Sequence, residues 1–420
     1  MTDEVGWPGG GTICLQTLGC RLNQAETEFL TQKLLEAGYR VVDPDHASDI
    51  YLLNTCTVTR VADQKCRKLL RSMRKRNPRT LIVATGCYAE RAPEEVGSIP
   101  GVDMVIPNSD KERLPDILPK RPAASSARLH EYSCSRRTRA MVKIQEGCSR
   151  PCSFCIVPLV RGPEKTRPLD QIIGDIKEKS YQGYREVLLT GTRLGYPGGA
   201  YLPGLIRRIL QETAIERLRL SSLEPADLKP DLLKLWQDKR LCPHIHLCLQ
   251  SGSDSVLKRM RRAYSTHTFA SAAELAREYV PTLALTTDIM VGFPGETEEE
   301  FAESYSYCRT IDFAGMHVFS YSPRPGTEAA LMPAQVPETI KKKRSGLMLD
   351  LARRNSRRFR ESLLGGKMDV LFESARNGLW YGLTGNYVRV SLQSRENLAN
   401  RLLTTSLIGV EDSGLRGMPI

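Results

Sequence analysis

The sequence has no run of about 18 apolar residues, the length a membrane span requires, so a helical integral membrane protein is not expected. It also has no internal repeat and no low-complexity tract, which sets aside solenoids and tethering chains. The opening MTDEVGWPGG lacks the basic-then-apolar pattern of a secretion signal, and the cytoplasm is the expected address. In that setting twelve cysteines in 420 residues read as reduced thiols and metal ligands rather than as a disulfide framework. A hydrophobic fraction of 41% and a charged fraction of 26% exclude a disordered chain. The net charge of +12 favours a polyanionic partner without naming one, and a merely basic housekeeping protein fits it equally well.

At about 150 residues per domain the length predicts about three domains, each large enough to bury its own core. Residues 12–118 alternate apolar runs (ICLQTLGC, DIYLLNTCTV, LIVATGCYA) with amphipathic stretches such as ETEFLTQKLLEAGY, the rhythm of a parallel sheet covered by helices. Three of these apparent strands end in a cysteine, at Cys20, Cys56 and Cys87. Open parallel sheets place ligands at strand carboxyl ends, so the three thiols are expected to converge at one edge. Residues 119–137, rich in Pro, Ser, Ala and Arg, read as a linker. Residues 138–365 hold six strand-like runs, MVKIQEG, EVLLTGT, RLRLSSLEP, HIHLCLQSG, LTTDIMVGFPG and GMHVFSYSP, each separated by a helix-length stretch. Six such units predict an open partial (β/α)6 barrel, because a full eight-unit barrel would want about 250 residues. A basic helical stretch then leads into residues 366–420, whose short strands suggest a small antiparallel β-barrel.

The sharpest motif is Cys148, Cys152 and Cys155 in GCSRPCSFCIVP, a CxxxCxxC triplet in the loop after the first barrel strand. Random placement of the cysteines would make roughly 0.01 such triplets. Three thiolates this close suit three irons of a cubane cluster and leave the fourth iron open, as a closed four-cysteine zinc site does not. With Phe154 before its last cysteine, the motif resembles that of the radical S-adenosylmethionine superfamily. The resemblance implies a 4Fe-4S cluster whose open iron chelates S-adenosylmethionine and cleaves it with one electron to a 5′-deoxyadenosyl radical. Such a radical removes hydrogen from an unactivated C–H bond, which acid-base chemistry cannot do.

Cys20, Cys56 and Cys87 are widely spaced, and taken alone they fit buried core cysteines as well as they fit ligands. With the triplet downstream and the β-barrel tail, however, the chain resembles the methylthiotransferase family over residues 12 to 420. That resemblance implies an N-terminal flavodoxin-like α/β domain and a second 4Fe-4S cluster, on Cys20, Cys56 and Cys87, involved in sulfur supply. It also implies two S-adenosylmethionine molecules per turnover, all six cysteines in the catalytic machinery, and an electron donor and a sulfur donor that the sequence does not identify. Cofactor contacts are expected at the strand ends, from Phe154, Gly191 and Thr192 in LTGT, Ser222 and Glu224 in SSLEP, Gln250 and Ser251 in LQSGS, and Asp288 and Gly292 in DIMVGFPGET. Each of these segments also suits a plain turn between strand and helix, and so do Arg161 and Gly162 just beyond the cysteine loop. Cys14, Cys66, Cys134, Cys242, Cys248 and Cys308 match no ligand position and read as core or surface thiols.

The tail resembles the TRAM domain, a small RNA-binding β-barrel, in which Trp380, Tyr381, Tyr387 and Arg389 offer stacking and cationic contacts unless they are barrel core and rim. Basic runs at Arg67 to Arg79 and Lys341 to Arg360 add phosphate attraction or are simply solvated helix faces. GCRLNQAETE and NTCTVTRVAD resemble the family branch that acts on threonylcarbamoyladenosine next to the tRNA anticodon. The branches acting on isopentenyladenosine in tRNA and on a ribosomal-protein aspartate carry other residues there, and an RNA-binding iron-sulfur sensor is the non-enzymatic alternative.

Overall fold

The computed structural model describes residues 11–119 and 138–420; apart from Pro119, the expected linker and its Cys134 lie outside them. Residues 12–118 form a five-stranded parallel sheet in the order Arg40–Val41, Thr12–Thr17, Ile50–Thr55, Leu81–Gly86, Met104–Val105. This is the flavodoxin-like order, which opens a crevice at the carboxyl ends of Thr12–Thr17 and Ile50–Thr55, where the winding reverses. Every residue of Ile50–Thr55 is buried, because helices cover both faces of this central strand. The two-residue period of the strands sorts side chains into two cores. Leu30 and Leu34 of helix Arg21–Glu36 pack with Ile13, Leu52 and Val83. Cys66, Leu70 and Met73 of helix Arg60–Arg76 pack with Cys14, Tyr51 and Leu53 on the other face. Cys14 and Cys66 are therefore core thiols.

The six expected barrel strands are present and run parallel to their neighbours. Arg139–Lys143, Glu186–Thr190 and Arg217–Leu220 pair in one run. Ser222–Leu223, His244–Leu247, Ala284–Val291 and Gly315–Ser320 pair in the other, the third strand being interrupted at Ser221. A backbone bridge from Leu218 to Leu241 joins the two runs. One apolar cluster, including Val142, Leu189, Leu220, Ile245 and Ile289, fills the space between strands and helices and leaves the strand carboxyl ends open.

The tail is a closed five-stranded barrel of Lys367–Arg376, Leu379–Thr384, Arg389–Gln393, Gly414–Pro419 and Leu402–Glu411. Its pairings are antiparallel except the closing one, where Arg389–Gln393 runs parallel to Gly414–Pro419. The barrel docks on the central region through a buried charge cluster. Glu186, fully buried, pairs with Arg217 and Arg219, which donate onward to the carbonyls of Leu383, Thr384 and Gly385. Tyr387 stacks on His244 at 5.0 Å, with the Arg219 guanidinium 4.6 Å from its ring centre. Tyr387 is thus a docking residue rather than a free platform for bases, and Trp380 packs against the barrel core. Tyr381 and the exposed Arg389 remain at the rim, 5.8 Å apart.

The basic runs divide the same way. In helix Glu338–Glu361, Lys341 and Arg344 are buried, donating to the Tyr321 carbonyl and to Glu296. In helix Arg60–Arg76, Arg67 pairs with Glu95 and Arg74 with Asp103, while Lys68, Arg71, Lys75 and Arg76 face solvent. Among the described residues no helix is long and apolar enough to cross a membrane.

Candidate active site

Cys20 is the N-cap of helix Arg21–Glu36, Cys56 directly follows strand Ile50–Thr55, and Cys87 opens the short helix after strand Leu81–Gly86. Parallel pairing of these strands brings their carboxyl ends, and so the three cysteines, to one edge. Gly19 permits the closest approach: at its φ of +116° an added Cβ would lie 2.7 Å from the Cβ of Cys56. The fully buried Asn23 ties the group together, donating from Nδ2 to the carbonyls of Leu18 and Thr55 at 2.9 Å. Its Oδ1 stands 3.9 Å from Cys20 Sγ and 4.0 Å from Cys87 Sγ, and it accepts from Arg161 Nη2 at 2.6 Å.

Arg161, whose place just beyond the cysteine loop suits either site or turn, reaches out of the barrel to helix Arg21–Glu36 of the N-terminal region. It pairs with Glu26 at 2.7 Å, and Lys111 pairs with the same carboxylate at 2.8 Å. Burial works against the Glu26 carboxylate, but Lys111 and Arg161 hold it well below the usual range. Burial likewise pushes the Cys87 thiol up, with Arg161 and Lys111 opposing. The Cys56 thiol is pushed up to about 12 by burial. A thiol in that range keeps its proton unless a metal takes the proton's place. Beside the trio, Asp63 accepts from Thr57 at 2.7 Å and from the barrel's Arg324 at 2.5 Å, a second buried bond between the two regions.

The loop of Cys148, Cys152 and Cys155 is closed at its base by the antiparallel pair Gln145–Glu146 and Lys165–Thr166, and by Cys148 N donating to Gly162 O at 2.9 Å. Ser153 anchors its middle, donating from Oγ to Arg259 O at 2.9 Å. Arg262 donates to Cys152 Sγ at 3.2 Å and to Glu224 at 3.1 Å, and Arg150 donates to the second Glu224 oxygen at 3.0 Å. Burial pushes Cys155 up to about 11. Phe154 packs edge-on to Phe293, their centres 6.5 Å apart.

One cavity of about 680 Å³ is lined by all six of these cysteines. Phe154, Gly191, Thr192, Ser222, Glu224, Gln250 and Asp288 line it as well. Gly191 has a packing reason beyond approach to a ligand: a Cβ there would come 3.0 Å from Gln145, whose side chain holds the backbone at Gly147 and Arg193. Ser251 and Gly292, also expected at the cofactor, do not line the cavity. Ser251 is buried and its Oγ accepts from Ser253 N, while Gly292 donates to Glu296 in a turn under Lys341. Each lies one or more residues past the last inward-facing position of its strand. Cys248, read as an ordinary thiol, does line the cavity, as do Arg21, Arg150, Arg193, His246, Arg262 and His317. Of these, only the alternation of His246 and Cys248 along one strand was a visible signal.

Thr192 Oγ1, Arg193 Nε, Ser221 Oγ and Gln250 Oε1 are buried atoms of cavity-lining residues, and none has a hydrogen-bond partner. Such groups are costly unless a ligand meets them, so the cavity suits a polar molecule of cofactor size.

Residues 12–107 match the family described as "Uncharacterized protein family UPF0004", and residues 142–308 match the radical SAM superfamily. The chain is 34% identical to the threonylcarbamoyladenosine tRNA methylthiotransferase MtaB of Bacillus subtilis, covering 94% of each chain. The chain belongs to the radical S-adenosylmethionine methylthiotransferase family. The methylthiotransferase MtaB of Thermotoga maritima is 36% identical over 89% of this chain and 88% of that one. The tRNA-2-methylthio-N(6)-dimethylallyladenosine synthase of Acetivibrio thermocellus is 31% identical over 96% of this chain and 90% of that one. Among solved structures, the radical S-adenosylmethionine methyltransferase TsrM of Kitasatospora setae shares the fold, with a TM-score of 0.57 and 14% identity over 76% of this chain and 77% of that one. This methylthiotransferase-family chain is therefore a radical SAM enzyme, using S-adenosylmethionine and a 4Fe-4S cluster. The three thiols of the cysteine loop and the unpartnered polar atoms beside them fit that pair of groups.

Proposed function

We propose that this chain converts N6-threonylcarbamoyladenosine next to the anticodon of tRNA to its 2-methylthio derivative, replacing C–H by C–S at C2 of the adenine. The observation that carries the reading is the opening of both cysteine trios into one cavity, which leaves no barrier between a sulfur source and a radical source. Two 4Fe-4S clusters and two S-adenosylmethionine molecules per product would supply the methylated sulfur and a carbon radical able to take a hydrogen that is neither acidic nor activated.

In this reading Cys148, Cys152 and Cys155 hold one cluster, and Cys20, Cys56 and Cys87 hold the other. Phe154, Gly191, Thr192, Ser222, Glu224, Gln250 and Asp288 surround S-adenosylmethionine. Arg150 and Arg262 fix the Glu224 carboxylate from both sides, so it can accept from the cofactor without swinging away. Arg21 selects the substrate. It lines the cavity, donates to the Tyr387 hydroxyl at 3.3 Å, and has no carboxylate in ion-pair range among the described residues. A threonylcarbamoyl group carries a carboxylate for it to read, and an isopentenyl group does not.

The anticodon stem-loop would lie against the rim of the tail barrel and the solvent-facing bases of helix Arg60–Arg76, with 12–118, 138–365 and 366–420 acting as three domains. The test supplies anaerobically reconstituted enzyme with tRNA bearing either threonylcarbamoyl or isopentenyl adenosine and measures the nucleoside masses. A methylthio increment on the threonylcarbamoyl form alone is expected. An increment on the isopentenyl form alone moves the chain to the sister branch, and none on either removes the tRNA reading.

A further inference from the structure

At the barrel mouth, one group of cavity-lining side chains has no part in either cysteine trio, although Asp288, one of its members, also stands among the residues read above as surrounding S-adenosylmethionine. His246 is the third residue of strand His244–Leu247, Cys248 directly follows that strand, and Asp288 is the fifth residue of strand Ala284–Val291. The parallel register pairs His246 with Thr286, so Asp288 stands one inward-facing position further along, beside Cys248. One donor atom from each of His246, Cys248 and Asp288 lies within 4.8 Å of the other two, and His246 Nε2 is 3.4 Å from Asp288 Oδ2.

The other ring nitrogen is already engaged: His246 Nδ1 is 3.0 Å from Thr286 Oγ1, which also meets His244 Nε2 at 3.1 Å. A partner on Nδ1 fixes ring orientation and aims Nε2 at Asp288, where a cation would displace the Nε2 proton; an outer-shell bond of this kind is usual around a metal-binding histidine. Backbone bonds hold the thiol in place as well, with Cys248 N donating to Leu223 O at 3.1 Å and Tyr264 OH donating to Cys248 O. The ring centre of His317, which also lines the cavity, lies 5.8 Å from that of His246.

We propose that His246, Cys248 and Asp288 form a divalent-cation site with one nitrogen, one sulfur and one oxygen ligand, its fourth position open to the cavity. The donor set selects the cation. Thiolate and imidazole disfavour magnesium and calcium, which take oxygen ligands, and suit zinc or another borderline ion. Bound as thiolate and carboxylate ligands, Cys248 and Asp288 bring two negative charges, which balance a divalent ion that displaces the His246 proton. Tetrahedral zinc ligands stand roughly 3.3–3.8 Å apart, so the present spacing closes with small rotamer changes. Three protein ligands with an open position are the pattern of reactive zinc sites rather than closed structural ones. The open position takes an oxygen donor, either water or a carboxylate or carbonyl oxygen of a molecule in the cavity.

The test uses the full chain with both cysteine trios reconstituted with iron and sulfide, given zinc anaerobically and freed of excess by gel filtration. Expected are one zinc per chain beyond the iron, and zinc-edge X-ray absorption showing one sulfur and three nitrogen or oxygen neighbours. Cys248→Ala and Asp288→Asn should each lower zinc affinity at least about tenfold while iron stays at the wild-type level. Asp288→Asn leaves every thiol in place, so it decides the matter if Cys248→Ala disturbs the iron. No zinc retained, zinc bound by three or four sulfurs, or equal zinc in wild type and both variants would overturn the site. None of these readouts uses RNA, so the outcome is independent of which nucleoside is modified.

Discussion

The two cysteine trios are built in opposite ways. Cys148, Cys152 and Cys155 fall within eight residues of one loop, whose shape is set by local backbone bonds such as Cys155 N to Cys152 O at 3.0 Å. Cys20, Cys56 and Cys87 come from three strand ends and meet only because the sheet pairs Thr12–Thr17, Ile50–Thr55 and Leu81–Gly86 side by side. The first trio needs its loop. The second is assembled by a whole sheet, with the buried Asn23 beside it and an arginine reaching in from the neighbouring barrel.

The sharpest division comes from removing one thiol from each. Cys152→Ala should abolish S-adenosylmethionine cleavage, whereas Cys56→Ala should still release 5′-deoxyadenosine but give no methylthiolated nucleoside. Chromatography of both products checks this, and full product from a Cys56 variant with no iron in the N-terminal trio would end the distinction. Next in size is Arg161→Met, which removes the bonds to Asn23 and Glu26. Losing one partner of this buried cluster should cost about 3 kcal/mol, moderated because Lys111 still pairs with Glu26. With one cluster on each trio, as proposed above, iron should fall towards roughly half, because only the N-terminal trio touches this contact. Denaturant unfolding and iron analysis read the two effects separately, and unchanged iron would show that the N-terminal trio stands without the barrel.

Gly19→Ala should have a smaller effect on stability, about 1–3 kcal/mol, from a strained backbone and a Cβ forced against Cys56. Its iron loss should again be confined to the N-terminal trio, and cleavage of S-adenosylmethionine in the absence of RNA should persist. Smallest is Cys66→Ala, about 1 kcal/mol in thermal unfolding with iron unchanged. Cys66 sits near the trio, its Sγ 3.6 Å from the Cys56 carbonyl, yet its side chain packs in the core with Leu70 and Met73. Lost iron in this variant would make Cys66 part of the site.

Much of this was legible in the chain. The alternation of apolar runs and amphipathic helices predicts both parallel sheets, and the triplet spacing predicts a metal loop before any fold is known. Strand-end positions also point to Thr192, Glu224, Gln250 and Asp288, because a side chain at the carboxyl end of an inward-facing position has little choice of where to go. Ser251 and Gly292 do not line the cavity, for the converse reason. They lie past the last inward position, where the chain turns away into its own hydrogen bonds. Arg161 looks ordinary in sequence, and Tyr387 misleads there: its aromatic ring suggests a base-stacking platform, but it stacks instead on His244.

By itself, then, the sequence determined the elements, the loop-borne thiols and the family, since periodicity, turn residues and short spacing act over a few residues at a time. Only the tertiary structure decided which distant groups meet: Asn23 with Arg161, Arg219 with Tyr387, His246 with Asp288. The physical reason is that a buried charge or polar group must find a partner when it leaves water, and that partner is chosen by packing and strand register rather than by proximity along the chain.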